Sequence, residues 1–208
     1  MIDIVDELRI LAAKLDEQGI EYALCGGMAM GIHGHLRTTI DIDMLVLPQT
    51  LPQVLQVADS LGYNIRGLDM DFRSVDIRRV SKIDPDSHDL LSLYFLLVRP
   101  TIQAAWDSRI QAQWEHGLLS VVSRQGLIQL KSLRNSDQDA LDIKVCMRVS
   151  QMHKVDMSAE AVTTRLKRIS QLHRLGLLLR KAKLEPYFKE QKAAEHPQPI
   201  LKSVHPKT

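Results

Sequence analysis

Cysteine is nearly absent from this chain: Cys25 and Cys146 are the only two among 208 residues, and they stand in no CxxC spacing. A disulfide framework is thereby excluded, neither thiol is a good zinc ligand or nucleophile, and the expected compartment is a reducing cytoplasm. Aromatic residues make up only 4% of the chain. Trp106 and Trp114, eight apart on what reads as one helix, are expected to be packing anchors rather than a platform for stacked bases. No apolar run approaches the roughly 18 residues of a membrane span. The opening MIDIVDELRI also lacks the basic and unbroken apolar stretches of a signal peptide, so neither membrane insertion nor export is expected. A dominant charge is missing too, since the formal net charge is only +2.

What is present is the composition of a globular chain, 45% apolar and 25% charged. Its length supports one real core and an appendage rather than two full domains. The expected division is a principal domain over 1–150, a basic helical extension over 151–185 and a polar, flexible tail over 186–208. Charge follows this division, because residues 160–208 carry 11 Lys/Arg against 4 Glu. Arg165, Lys167, Arg168, Arg174, Arg180, Lys181 and Lys183 form a basic helical surface, which reads either as a nucleic-acid contact or as a solvated helix face.

Apolar residues at Ile4, Leu8, Leu11 and Leu15 predict an amphipathic helix ending near Gly19. Glu21 to Cys25 reads as a short buried strand stopped by Gly26-Gly27, followed by a short helix or loop over 28–35. Ile40 to Leu47 reads as a strand whose first half sets Asp41 and Asp43 on one face. Residues 51–61 predict a helix, Phe72 to Ile83 and Leu90 to Val98 two strands of one sheet, the second buried on both faces, and 101–113 a helix. A strand over 118–123 and helices over 125–134, 137–149 and within 158–182 complete a small mixed α/β sheet with packed helices and a helical C-terminal part.

The segment CGGMAMGIHGHLRTTIDIDMLV, residues 25–46, carries the chemistry. Asp41 and Asp43 are two apart on a strand, so their carboxylates lie side by side and repel unless a cation sits between them. Mg2+ or Mn2+ is the natural cation, because such ions combine a few carboxylates with phosphate oxygens. Gly26 and Gly27 allow the backbone to approach a triphosphate, and Arg37 can neutralise further phosphate charge. Together these parts describe metal-assisted nucleotidyl transfer. His33 and His35 lie between the glycines and the acids and are weaker candidates.

The joint pattern of strand, Gly-Gly, 13 residues and then Asp-x-Asp on a second strand resembles the DNA polymerase beta-like nucleotidyltransferase superfamily. The likeness is greatest to the branch of AbiEii/AbiGii-type toxin nucleotidyltransferases, and it extends to RRVSKID (78–84), DLLSLYFLLV (89–98) and LLSVVSRQGLIQLKSLRNSDQDALDI (118–143). The resemblance implies a nucleotidyltransferase fold, Asp41 and Asp43 as metal ligands, and Gly26 and Gly27 as the phosphate turn. It further implies Lys131 near the nucleotide phosphates, with Asp139 and Asp142 as the following D-x-x-D. Nucleoside triphosphate is then the substrate, tRNA or a protein is a candidate acceptor, and a cognate antitoxin or toxin protein is a candidate partner. The chain departs from the pattern at Tyr94, where relatives carry a third carboxylate. Asp76 is a candidate substitute, whereas Asp89 has the opposite strand parity. The departure opens an alternative, a catalytically weakened nucleotide-binding or regulatory member of a toxin-antitoxin pair.

Overall fold

Asp3 starts the first helix. Its side chain accepts hydrogen bonds from the backbone N–H groups of Val5 at 2.9 Å and Asp6 at 3.4 Å, satisfying two donors that have no partner inside the first turn of α1 (Ile4–Glu17). Ile4, Leu8, Leu11 and Leu15 form its buried stripe. The computed structural model describes the backbone of residues 1–195 apart from 73, 135, 153 and 154, and the side chains of the same residues apart from 148–152 and 183–195.

After α1 come β1 (Tyr22–Leu24), α2 (Gly26–Ile32), β2 (Asp41–Val46), α3 (Leu51–Ser60), the short strands β3 (Ile65–Arg66) and β4 (Met70–Asp71), and the long strands β5 (Asp76–Ile83) and β6 (Leu90–Leu97). Then follow α4 (Gln103–Asp107), β7 (Ile110–Trp114), β8 (Gly117–Val121), α5 (Arg124–Arg134), α6 (Asp137–Met152) and α7 (Ala159–Glu195). The strands form one mixed sheet in the order β3-β5-β6-β2-β1-β8-β7, with β4 also paired to β5. At its centre β2 runs antiparallel to β1 and parallel to β6.

Register assigns the two faces. Ile42 and Met44 lie beside Leu93 and Phe95, and these side chains join Leu8, Leu11 and Leu15 of α1 in a single buried cluster. The other face carries Asp41, Asp43, Tyr94 and Leu96, because alternate residues of a strand point to opposite sides.

Two expectations are corrected. Residues 101–113 are not one helix: the chain is helical only to Asp107, and β7 begins at Ile110. Pairing with β8 across Gly117, whose φ of +115° suits glycine, draws 110–114 into the sheet. Trp106 and Trp114 therefore belong to different elements, although both are buried. Strand β6 alternates in burial over its first half and is covered on both faces only from Phe95 onward. The basic segment forms one long helix, and the backbone of α7 continues past Pro186 to Glu195. The expected polar tail, 186–208, lies outside the described side chains.

Helix α7 packs on α1, α2 and β7 through Val162, Leu166, Ile169, His173 and Leu177, which recur at helical spacing and are buried. No helix among the described residues is long and apolar enough to cross a membrane.

Candidate active site

The turn from β1 into α2 is built around the second acid of β2. Cys25 N–H donates to the Asp43 carbonyl at 2.8 Å, and Gly26 follows with φ +62°. A Cβ at Gly26 would stand 1.8 Å from Asp43 Oδ2, so only glycine lets the backbone lie against this carboxylate. Gly27 serves a different neighbour. A Cβ there would come within 2.6 Å of Thr39 Oγ1, and that hydroxyl donates to Asp41 Oδ1 at 3.0 Å. Of the expected phosphate turn, Gly26 borders the cleft, whereas Gly27 makes room for Thr39.

Asp41 and Asp43 sit at the junction of a two-lobed cleft. One lobe, of about 400 Å³, is polar and is lined by Arg37, Thr38, Thr39, Lys131, Gln138 and Asp139. The other, of about 540 Å³, is mostly apolar and is lined by Met70, Phe72, Val75, Ile77, Tyr94 and Leu96. Both lobes also touch Arg134 and Ser136. Burial, and then the adjacent Asp41 carboxylate, push the Asp43 carboxyl up to about 7, while Arg134, Arg37 and Lys131 pull the other way. Burial and the neighbouring acid together outweigh the three cations. Two such hard oxygen donors fit a divalent ion that takes its remaining ligands from water and phosphate. Among the described residues no group of three or more His, Cys, Asp or Glu side chains could hold a metal by itself.

Lys131 faces the acids from α5. It is only 6% exposed, and its Nζ lies 2.5 Å from Asp142 Oδ2 and 3.1 Å from Asp139 Oδ1 on α6. Burial works to raise both carboxyls, but Ser136 and Lys131 bonded to Asp139, and Lys131 and Gln138 bonded to Asp142, hold them below the usual carboxylate range. Asp142 is fully buried, with Arg37 Nε and His35 Nε2 each 3.4 Å from it. The direct nucleotide contact expected of Asp142 therefore does not fit, and its carboxylate instead anchors the two cations that border the polar lobe. Asp139 reaches the lobe itself.

Tyr94 occupies the strand position beside Asp43. Asp76 does not replace a third acid there. It pairs in register with Leu97, which puts it on the opposite face, and it is engaged by Arg99. Asp89 bonds Ser87 at 2.6 Å and Lys181 at 2.9 Å, remote from the cleft by the same parity. His33 is a structural residue whose Nε2 lies 2.9 Å from the Val122 carbonyl. Part of the basic face of α7 is paired with the body of the protein, and the side chain of Lys183 lies outside the described residues. Lys167 pairs with Glu115, Arg174 with Asp3 and Lys181 with Asp89, while Arg165 donates to the Asp156 carbonyl.

Arg134 and Thr39 are among the cleft residues that the sequence reading misses. Arg134 lies three residues beyond Lys131 on the same helix face, a spacing that carries the signal. Thr39 has no such signal, because its role depends on the loop that delivers it to Asp41.

The chain matches no protein-family model and no curated protein. Among solved structures it is similar to TM1012 of Thermotoga maritima, assigned as a nucleotidyltransferase, with 9% identity and a TM-score of 0.50 over 69% of this chain and 92% of the other. It is also similar to the antibiotic-resistance factor ANT(2'')-Ia, with 15% identity and a TM-score of 0.49 over 91% and 100% of the two chains. A third similar structure is the lincosamide antibiotic adenylyltransferase LnuA, with 14% identity and a TM-score of 0.48 over 69% and 96%. The likeness to the Thermotoga protein shows the fold, which is that of the nucleotidyltransferases.

Proposed function

We propose that the protein is a metal-dependent nucleotidyltransferase of the AbiEii/AbiGii toxin type, moving a nucleoside monophosphate from a nucleoside triphosphate to an acceptor hydroxyl. The observation that carries this reading is the placement of Asp41 and Asp43 at the junction of a cationic lobe and an apolar lobe. A polyanionic triphosphate belongs with Arg37, Lys131 and Arg134, and the acceptor then approaches from the Tyr94 and Phe72 side. The acceptor hydroxyl oxygen attacks the α-phosphorus and loses its proton to water, as the bond to the bridging oxygen breaks and pyrophosphate leaves. Bound Mg2+ or Mn2+ supplies Lewis-acid stabilisation of the phosphate charge. Asp41 and Asp43, side by side on one face of β2, would hold that ion. Lys131, fixed by Asp139 and Asp142, presents its ammonium to the phosphates without having to be ordered on binding. The acceptor is a tRNA, a protein hydroxyl or a small molecule. We assign residues 1–150 to the catalytic domain and 151–185 to a docked extension that completes it.

Incubation of the protein with each labelled triphosphate, Mg2+ and either total tRNA or a protein extract tests the reading. Metal-dependent label transfer that is lost in both Asp41→Asn and Asp43→Asn supports it. Label transfer indifferent to both substitutions refutes it.

Tyr94 favours a second reading, a nucleotide-binding member of a toxin-antitoxin pair with weakened catalysis. A phenol beside Asp43 supplies no third carboxylate for a second ion. Under this reading the native chain binds nucleotide with metal but transfers slowly, and Tyr94→Asp raises the rate.

A further inference from the structure

Residues 35–40, which deliver Thr39 and Asp41 to the cleft, have no regular secondary structure. No ladder of backbone hydrogen bonds fixes their path, yet the first acid sits at their end. Through His35 and Arg37, Asp142 holds the first half of the path, and the second half is held from α7. His173 of α7 is 1% exposed, and its Nδ1 lies 2.9 Å from the Thr39 carbonyl oxygen. A carbonyl can only accept, so Nδ1 carries the proton and donates. One turn later Gly176 leaves room for the same loop, since a Cβ there would stand 2.9 Å from Thr38 Cγ2. Thr39 is itself buried, at 4% exposure. With its carbonyl held by His173 and its side chain lodged against Gly27, its hydroxyl points at Asp41 Oδ1, 3.0 Å away.

We infer that His173 is a positioning residue for Asp41. Its imidazole fixes the Thr39 carbonyl, and Thr39 in turn fixes the orientation of the Asp41 carboxylate toward the cation. The inference rests on the proposed role of Asp41 as a metal ligand. Hydrogen-bond partners of a metal ligand commonly contribute tenfold or more to affinity, so loss of the Thr39 hydroxyl is expected to weaken metal binding roughly tenfold or more, and loss of His173, one link further out, by less.

The test uses the full chain and Mn2+ as the probe, followed by electron paramagnetic resonance without nucleotide. It pairs each disabling substitution with one that keeps the donor. His173→Leu fills the site without a donor, whereas His173→Asn places an amide N–H near the position of Nδ1. Thr39→Val removes the hydroxyl, and Thr39→Ser keeps it. Mn2+ affinity is expected to fall in the Leu and Val variants and to recover in the Asn and Ser variants. The double variant His173→Leu/Thr39→Val should be no worse than Thr39→Val alone, because both links lie on one path. Amide exchange across residues 38–43, measured without metal, should quicken in His173→Leu and recover in His173→Asn.

Native affinity retained in both Leu and Val variants overturns the inference and leaves the metal reading intact. Absence of Mn2+ binding by the native protein overturns the metal reading and with it the inference. Equal loss in His173→Leu and His173→Asn, in chains that melt like the native one, shows packing rather than hydrogen bonding and also overturns it.

Discussion

Asp43 carries the largest electrostatic burden in the cleft, and its carboxyl titrates near neutrality because burial and Asp41 both disfavour its charge. A raised folded value means that the folded chain holds a proton that the unfolded chain has released, so stability falls as pH rises from the ordinary value of 3.8 toward about 7. The limiting slope is about 1.4 kcal/mol for each pH unit crossed. Asp43→Asn is expected to flatten this slope and raise the melting temperature of the metal-free protein at pH 8, as followed by circular dichroism across pH. Saturating Mn2+ should produce a similar rise in the native chain and little in the variant.

Gly26→Ala should do the opposite. A left-handed residue with a Cβ costs about 1–2 kcal/mol before any clash, and here the Cβ would displace the Asp43 carboxylate. Loss of nucleotide binding together with a lower melting point is the expected pair of effects. Asp76→Asn, on the other face, should lower stability through Arg99 and leave any transfer rate unchanged; a large loss of transfer at native stability would contradict its placement.

At the scale of elements, α5 and α6 present Lys131 as a unit with Asp139 and Asp142. Removing the cation from two buried carboxylates costs about 3–5 kcal/mol, so Lys131→Met should lower the denaturant midpoint sharply. Because both acids titrate below their ordinary value of 3.8, their contribution is complete above that pH and disappears as pH falls through the depressed folded values. The stability gap between Lys131→Met and the native chain should therefore narrow as pH falls through those values, and a gap that stays constant into acid would count against the network. The elements themselves differ in how readily the sequence reveals them. Helix α1 and strand β2 are legible because their buried residues follow the period of the element that forms. Strand β7 is not, since residues 110–114 are short and adjoin an AAWD run that favours helix, and only pairing with β8 decides their state. The position of Tyr94 beside Asp43 and the turning away of Asp76 are properties of register between strands, which the local pattern of either strand leaves open. The bond from His173 to Thr39 spans 134 residues and has no local trace at all.

Across the whole molecule, the pairing of α7 cations with Glu115, Asp3 and Asp89 bears on any RNA acceptor. Counterion release scales with the number of phosphates neutralised, at about 0.9 per contact for a duplex. With Lys167, Arg174 and Lys181 already engaged, tRNA binding should show a shallow salt dependence that the substitution Lys167→Ala barely alters. A steep dependence that drops by about one on that substitution would restore α7 as an RNA surface.

The reach of α7 back to the beginning of the chain has a further consequence, in the order of synthesis. Ser170 and Arg174 bond the cap of the first helix at Asp3, and His173 bonds the loop before the acids. A chain emerging from the ribosome has already exposed Asp41 and Asp43 for some 130 residues before the segment that seats their loop is made. Closing such long loops is entropically the slow part of assembly. A nascent chain thus carries the acids in an unfinished setting until α7 has been made and docked.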